Sequence, residues 1–364
     1  MKLKDLTNYL DSAVPLSFQE SYDNSGLQVG SPDAELTSAL VCLDVTEEIV
    51  SEAISKNCNV IVSHHPLIFN GIRKLSGRSS TERIIATAIK KDISVYSLHT
   101  NLDILNAGVS RIIAQKLQLE NITVLSPSEK KLIKLVTFIP ESYAEKVRNA
   151  IFEAGAGVIG NYDNCGFSVA GTGSFRANEN ASPFTGEKNK LHFEKEIRFE
   201  TILFSHMQER VIRALLESHP YEEVAYDLYP LENTNIESGL GCIGVLNEPV
   251  TEDDFLKSVK DILQAKGLRY SRLTGKLVKS VAVCGGSGAS LINAAIKNGA
   301  QVFLTADLKY HDFFRAEDKI LLVDAGHFET EKFSRELIKE LIIKKFPKFA
   351  VLFSETNTNP INYF

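Results

Sequence analysis

The most regular feature of the sequence is a repeated change from a helical pattern to a short apolar run that ends in polar residues. Three segments share this form: "AISKNCNVIVSHH" (53–65), "AIKKDISVYSLHTNLD" (88–103) and "AIKNGAQVFLTADLKYHD" (295–312). Each predicts a helix end, a polar turn and a β-branched strand. "VKSVAVCGGSG" and "KILLVDAGH" predict two further strands. This alternation predicts an α/β fold with a mostly parallel sheet or sheets and helices on both faces.

The middle of the chain follows a different pattern. Between about residues 131 and 231 the sequence predicts strand, helix, strand, strand, helix and strand, with a polar loop "NENASPFTGEKNK" between the second and third strands. This β-α-β-β-α-β order is the ferredoxin-like arrangement. Polar, turn-rich stretches flank it and suit domain joints. We therefore predict a main α/β domain in two segments, 1–128 and 233–364, interrupted by a ferredoxin-like α+β insertion at 129–232.

Composition and charge narrow the class of protein. The 364 residues are 44% hydrophobic and 24% charged, and the net charge is −6. An acidic chain of this kind has no general attraction to nucleic acid or to anionic membranes. The five cysteines are odd in number and form no C-x-x-C motif, which favours reduced, buried thiols. With no signal peptide or membrane-spanning run, the sequence predicts a cytoplasmic protein.

Polar clusters follow the predicted strands and contain a restricted set of residue types. The clusters hold His64 and His65; His99 and Asp103; and Asp324, His327 and Glu331. Because ligands bind beyond the carboxyl ends of parallel strands, we expect all of these clusters at one edge of one sheet. His327 and Glu331 stand four residues apart at a predicted helix start, so they share one helical face.

The residue types in these clusters indicate metal binding. Imidazole and carboxylate groups are ligands of zinc, iron, manganese and similar divalent ions. Three of these histidines together with two of the carboxylates would be too many ligands for one catalytic zinc ion. Such a set suits two ions that share a carboxylate. Asp103 and Glu331 would offset only part of the charge of two such ions, which favours hydroxide and an anionic group such as phosphate. Taken alone, Asp103 is equally a helix N-cap and Glu331 a solvated helix residue.

Other polar segments can each be interpreted in more than one way. "CGGSGAS" (284–290) follows a strand and opens a helix, so it is either an anion cradle or a tight turn. In "TADLKYHD", Lys309 could meet a phosphate and His311 could act as a general acid or base, although a solvated loop also fits. His99 either orients a ligand, binds substrate or makes a structural hydrogen bond. The histidines at 192, 206 and 219 have no partners at ligand spacing, and "HPYEE" is interpreted as a loop that fixes the last inserted strand.

Several of these motifs together resemble a known family. "YDNSGLQVG", "LDVT", "VSHHPLIF", "SLHTNLD", "DLKYHD" and "DAGHFETE" are similar to signatures of the GTP cyclohydrolase I type 2 homologues, also described as NGG-interacting-factor-three-like proteins. The match runs in order through both outer segments. The middle segment with "SHPYEEVAYDLYPL" resembles the extra, PII- and CutA-like domain of the longer bacterial members.

The resemblance implies a site, an assembly and an activity. Carried over position by position, the family's dinuclear metal site falls on His64, His65, Asp103, His327 and Glu331. It implies two divalent ions per subunit and a toroidal homohexamer with trimer contacts through the insertion. The ligand types favour zinc, with iron or manganese close behind. The resemblance also implies a metal-dependent hydrolase of a nucleotide or related phosphorylated small molecule, with GTP ring opening as the named candidate. In that case His99 or His311 would move protons.

A second function from a different class fits the same residues. The chain could form a metal-binding ring that holds a ligand or partner without turnover, as a regulatory or chaperone-like protein. Turnover by the metal-bound protein would distinguish the enzyme from this alternative.

Overall fold

A computed structural model describes residues 1–128, 132–160, 162–233 and 235–364. The chain divides into two compact units, one formed by Met1–Pro127 with Ile236–Phe364 and the other by Ser128–Asn235. The boundary predicted at residue 129 lies outside the described residues. That the middle segment is an insertion with its own task stays a prediction.

Strands and helices alternate through most of the described chain. The strands are β1 (Gly26–Val29), β2 (Ser38–Cys42), β3 (Val60–Ser63), β4 (Ser94–Ser97), β5 (Glu120–Ser128), β6 (Leu132–Pro140), β7 (Gly166–Phe175), β8 (His192–Phe204), β9 (Tyr226–Pro230), β10 (Asn235–Val250), β11 (Arg269–Tyr270), β12 (Val278–Ser287), β13 (Val302–Ala306), β14 (Leu321–Asp324) and β15 (Ala350–Phe353). The α-helices are α1 (Leu3–Ala13), α2 (Glu47–Ser55), α3 (Ser80–Lys90), α4 (Thr100–Asp103), α5 (Val109–Lys116), α6 (Ala144–Glu153), α7 (Gln208–Ser218), α8 (Glu252–Ile262), α9 (Ile292–Lys297), α10 (His327–Glu331) and α11 (Ser334–Lys345). Short 3-10 helices cover Leu16–Phe18, Glu141–Tyr143, Ser205–Met207, Ala289–Leu291 and Tyr310–Ala316.

The first sheet of the larger unit has the strand order β1-β4-β3-β2-β15. Strands β4, β3, β2 and β15 are parallel, and β1 is antiparallel to β4. Residues of β3 are buried on both faces, since Ile61 packs with the core around α2 and α3 while Val62 packs with the core around α1 and α11. A continuous apolar run suits a strand with helices on both sides. The predicted fold class is confirmed here.

The second sheet of this unit has the order β11-β14-β13-β12-β10-β5. Strands β12, β13 and β14 are parallel, whereas β10 and β11 are antiparallel to their neighbours β12 and β14. On β13, Leu304 packs in a cluster with Phe255 of α8, and Phe303 packs in another cluster with Ile292 of α9. The prediction that all polar clusters lie at one edge of one sheet was wrong. His64 and His99 follow strands of the first sheet, and His327 follows a strand of the second.

The smaller unit has a single antiparallel sheet with the order β7-β8-β6-β9. Its elements run β6, α6, β7, β8, α7 and β9 along the chain, which is the ferredoxin-like order. Leu135 and Phe199 of the sheet pack with Ile151 of α6 and Leu215 of α7. The helices therefore cover one face of this sheet.

Among the helices that the structure describes, none is both long and apolar enough to cross a membrane.

Candidate metal centre

Two adjacent histidines are held just beyond the end of β3. The backbone N–H of His64 donates to Cys42 O at 3.2 Å, and that of His65 donates to Leu43 O at 2.9 Å. The ladder with β2 thus continues for two residues past the strand, and Pro66 then follows. The two imidazole rings lie with centroids 5.1 Å apart. Because the strand ends here, neighbouring side chains serve one site instead of opposite sheet faces.

The carboxylate of Glu331 is the centre of the site. Its Oε2 lies 2.8 Å from Nε2 of His65 and 2.8 Å from Nε2 of His327. Nε2 of His64 lies 3.8 Å from the same oxygen. His327 and Glu331 open and close the single turn of α10, as the four-residue spacing predicted. Three imidazole nitrogens from two sheets therefore surround one carboxylate oxygen.

The other nitrogen of each ring is fixed by an oxygen acceptor. Nδ1 of His64 donates to Leu98 O at 2.7 Å, Nδ1 of His65 to Asp44 at 2.7 Å, and Nδ1 of His327 to Asp307 at 2.6 Å. A carbonyl or carboxylate oxygen only accepts, so Nδ1 carries the proton in each ring. When such a ring is neutral, as it must be to bind a metal ion, its Nε2 carries the lone pair and faces the centre, which is the usual arrangement of metal-binding histidines.

Asp103 completes the set of five residues. It is the last residue of α4, and the following helix α5 is preceded by Gly108, so the N-cap reading of Asp103 was wrong. Its Oδ1 lies 3.7 Å from Nε2 of His64. Both atoms are buried, and neither has a hydrogen-bond partner among the described residues. Buried polar atoms without partners are rare in proteins, and this pair fits a site for a bound ion or water.

Ionisation of the cluster shows that it favours positive charge. Burial by itself would lower the pKa of His65, but Asp44 and Glu331 raise it to about 9. Burial also opposes protonation of His327, while Asp307 and Glu331 raise its pKa to about 11. Burial would raise the pKa of Glu331, yet the three imidazoles hold it well below the usual range. In the metal-free protein, protons thus occupy positions that a cation would take.

The pKa of Asp103 is also shifted, but in the direction that favours the neutral carboxyl. Burial raises the pKa of Asp103 to about 6, against the attraction of His64. A carboxyl that lacks a donor and is shielded from water loses most of its preference for the charged form. A divalent ion at this position would restore that preference. His64, His65 and Glu331 have ligand atoms close enough together to hold a metal ion, and the orphaned atoms of His64 and Asp103 fit the same role.

The glycine-rich segment at the end of β12 contributes to this site. Gly286 has a φ of +62°, and a Cβ there would lie 2.0 Å from Oε1 of Glu331. Its N–H donates to Thr330 Oγ1 at 3.1 Å, and the N–H of Gly285 donates to Ser110 Oγ at 3.2 Å. These backbone donors are already satisfied by side chains. The close turn lets the Glu331 carboxylate approach the backbone.

His99 lies beside the cluster without touching Glu331 in any described contact. Its ring is edge-on to those of His64 and His65, with centroids 5.5 and 5.4 Å away. Nδ1 donates to Asp23 at 2.7 Å, and Asp23 also accepts from the N–H of Thr100 at 3.0 Å. Burial opposes ionisation of Asp23, but the bonds from His99 and Thr100 hold its pKa well below the usual range. Asp23 therefore fixes the tautomer and orientation of His99.

The structure does not bring His311 or Lys309 into the cluster. His311 is exposed on the 3-10 helix Tyr310–Ala316, and its described ring contacts are with Tyr310 and Phe314. Lys309 is exposed at the start of that helix. Asp324, from the same cluster as His327, instead accepts from the backbone N–H of Leu308 at 2.9 Å and pairs with Arg269.

Sequence reasoning missed the roles of three carboxylates, Asp23, Asp44 and Asp307. Each accepts from Nδ1 of a histidine at the site. Asp44 and Asp307 stand just after β2 and β13. Like the histidines, these two acceptors follow the ends of strands. A search for acidic residues directly after the predicted strands would therefore have found Asp44 and Asp307.

Comparison with known proteins agrees with these motifs. A family model described as Duf34/NIF3 (NGG1p interacting factor 3) matches residues 1–360. The chain is 39% identical to a Bacillus subtilis protein named "GTP cyclohydrolase 1 type 2 homolog", over 96% of this chain and 95% of the relative. It is 36% identical to a Staphylococcus epidermidis protein of the same name, over the full length of both.

A solved structure shows the same fold. The crystal structure of a Bacillus cereus protein related to NIF3 superimposes with a TM-score of 0.87 at 38% identity. The alignment covers 100% of this chain and 99% of that one. The resemblance drawn from the motifs is confirmed, and the chain belongs to the Duf34/NIF3 (NGG1p interacting factor 3) family.

Proposed function

We propose that the protein is a metal-dependent hydrolase of a nucleotide or related phosphorylated small molecule, with two divalent ions held by His64, His65, Asp103, His327 and Glu331. The observation that carries this is the convergence of three Nδ1-anchored imidazoles on Glu331, beside the orphaned atoms of His64 and Asp103. The names of the curated relatives agree with the proposal.

The separations within the cluster suggest how five residues would serve two ions. His64 and Asp103 form one pair, with 3.7 Å between their free atoms. His65 and His327 form the other, with 3.3 Å between their Nε2 atoms. Glu331 lies next to both pairs and would be the shared ligand. When bound, the ions would supply Lewis-acid chemistry and lower the pKa of a bound water. The ligand types fit zinc first, with iron and manganese close behind.

The proton-transfer role fits His99 better than His311. His99 is already oriented by Asp23, and its ring lies against those of two proposed ligands. With Nδ1 protonated, its Nε2 is free to accept or deliver a proton at a bound substrate. His311 is exposed, and its described ring contacts are with Tyr310 and Phe314.

Two basic side chains line a cavity that also includes Phe69, a neighbour of His99, and they would suit an anionic substrate. A cavity of about 560 Å³ is lined by Phe69, Arg73 and Lys74, among others. The ring of Phe69 contacts that of His99, with centroids 6.2 Å apart. This loop follows directly from His64 and His65, so a phosphate held by Arg73 and Lys74 would place the rest of the molecule toward the cluster.

An activity screen tests the function. Protein reconstituted with zinc, iron or manganese would be offered GTP, other nucleotides and phosphoesters, and ring opening and phosphate release would be measured. We expect turnover that His99→Gln and Asp103→Ala abolish. The variant Arg73→Gln/Lys74→Gln should raise KM, while Lys90→Gln/Lys91→Gln, at the exposed C-terminal end of α3, should not. Tight ligand binding without turnover for every metal would favour the non-catalytic ring assembly instead.

The assembly belongs to the proposal as well. We propose a homohexamer in which the smaller unit makes trimer contacts. Strand β7 lies at one edge of its sheet and exposes Phe167 and Val169. Exposed strand edges with apolar side chains favour pairing with another chain. Light scattering of the purified protein gives the subunit number directly.

A further inference from the structure

The smaller unit contains a cavity that is separate from the metal centre. Its volume is about 450 Å³, within the range of small-molecule sites. Four aromatic residues line it: Phe138, Phe175, Phe184 and Tyr221. The ring centroids of Phe175 and Tyr221 lie 6.0 Å apart, and those of Phe184 and Tyr221 lie 6.2 Å apart. All of the lining residues come from this one unit.

A buried carboxylate lies among these rings. Glu196, on β8, is only 9% exposed and also lines the cavity. Its Oε1 accepts from the hydroxyl of Tyr221 at 2.9 Å. Its Oε2 lies beside Gly173, where a Cβ would come within 2.1 Å of that oxygen. The missing side chain of Gly173 keeps space for the carboxylate, which is costly to bury unless something pairs with it.

Within the segment "HPYEE", His219 holds the backbone of Tyr221 in place. Nδ1 of His219 accepts from the backbone N–H of Tyr221 at 3.1 Å, and its Nε2 donates to Phe138 O at 3.1 Å. Burial lowers the pKa of His219, so the ring is neutral and can make both bonds. The sequence analysis interpreted this segment as a loop that fixes β9. The structure shows that it also positions Tyr221 at the cavity.

The charges around the cavity favour a cation. Three acidic residues line it, Glu196, Glu222 and Glu223, against one basic residue, Arg176. Glu222 accepts from the backbone N–H of Ser182, so it also shapes the neighbouring loop. An anionic ligand would meet a net negative wall and a buried carboxylate. An ammonium group would meet the opposite charge and the negative faces of the aromatic rings.

We propose that this cavity binds a small organic ammonium cation, with the charged group between Glu196 and the rings of Phe175, Phe184 and Tyr221. Aromatic walls with a carboxylate are the known way in which proteins recognise quaternary and primary ammonium groups. The site is independent of the metal centre, so it is a second binding site in the chain.

Calorimetry on the full-length protein tests the proposal with two cations and their neutral counterparts. Choline would be compared with its tert-butyl analogue, in which carbon replaces the quaternary nitrogen, and putrescine with butanediol. We expect at least one cation to bind about tenfold or more tightly than its neutral counterpart, as expected for charge-assisted and cation–π recognition. No binding of either cation, or equal binding of cation and neutral analogue, would overturn the proposal.

Substitutions of the lining residues test whether the cation binds in this cavity. Glu196→Gln should weaken the cation about tenfold or more and leave its neutral analogue unchanged. Glu209→Gln on α7 removes the same charge from an exposed position in the same unit and should have no effect. Phe184, which is 52% exposed, can be changed to Leu with little risk to folding, and this should also weaken only the cation. If melting curves show that Glu196→Gln is unfolded, Phe184→Leu and the comparison of analogues decide the outcome. Cation affinity unchanged in Phe184→Leu and in folded Glu196→Gln contradicts the proposal.

Discussion

Nε2 of His64 and Oδ1 of Asp103 lie 3.7 Å apart, both are buried, and neither has a hydrogen-bond partner among the described residues. The histidine approaches from the end of β3 and the aspartate from the end of α4. Two unsatisfied polar atoms in one buried place are costly unless a third group lies between them. A metal ion would satisfy the lone pair on the nitrogen and the carboxylate oxygen together.

The first prediction concerns metal content. Protein purified without chelator or added metal should approach two divalent ions per chain by elemental analysis. His64→Ala and Glu331→Ala should both lose most of this metal, since one removes a ligand and the other removes the shared carboxylate. His192→Ala, in the smaller unit, is the matched control and should keep it. Metal content unchanged in both cluster variants would contradict the site.

The second prediction concerns pH. In the metal-free protein the pKa of His65 is about 9 and that of His327 about 11, so both rings are protonated near neutral pH. Metal must displace these two protons, and its apparent affinity should therefore rise by up to about a hundredfold per pH unit between about pH 6 and about pH 8. The rise becomes less steep as the pH passes the pKa of His65. Competition with a metal-binding dye at several pH values measures this slope, and a flat profile would contradict it.

The third prediction concerns the acceptor behind His65. One oxygen of Asp44 binds His65 Nδ1, and the other accepts from the hydroxyl of Thr358 at 2.7 Å. Asp44→Ala should lower metal affinity about tenfold to a hundredfold, as is usual when the partner of a ligand histidine is removed. Thr358→Val should cause a smaller loss of the same kind.

A control for Thr358 lies two residues earlier. Thr356 donates to Glu52 at 2.6 Å, so Thr356→Val removes a hydroxyl from the same tail without touching Asp44. Metal affinity should stay at the wild-type value in this variant. Equal losses in both threonine variants would mean that the tail acts through general stability and not through Asp44.

The fourth prediction concerns Gly286. Alanine there would place a Cβ 2.0 Å from Oε1 of Glu331, so the carboxylate must move. We expect Gly286→Ala to lose metal and to be destabilised by about 1–3 kcal/mol from the positive φ. Gly299 has a φ of +74° with open space around it, so Gly299→Ala should show the destabilisation without loss of metal. Thermal melting and elemental analysis separate the two effects.

The fifth prediction concerns the smaller unit. Strands β5 and β10, which lead out of and back into the larger unit, are neighbours in one sheet. A short linker in place of residues 131–231 should therefore leave the larger unit folded and able to bind metal. Circular dichroism, light scattering and metal analysis test this. A shortened chain that stays folded but binds no metal would show that the smaller unit contributes to the site.

The fold class and the five proposed metal ligands could be predicted because both depend on local signals. Apolar runs such as those of β3 and β13 indicate buried strands, and histidines or carboxylates at their ends indicate a site. The division into two sheets could not be predicted, because strands of either sheet carry the same local pattern. The hydrogen bond between Thr358 and Asp44 could not be predicted either, since 314 residues separate them in the chain.

The edge strand β15 has a consequence for biosynthesis. Its residues, Ala350–Phe353, pair in parallel with β2 at Ser38 to Val41, so the first sheet receives one edge from a segment that leaves the ribosome long after its partner strand. Until then the edge of β2 stays open, and contacts between such distant segments make folding slow. A ribosome that stalls before residue 350 would release a chain with this exposed edge, which is a ready template for aggregation.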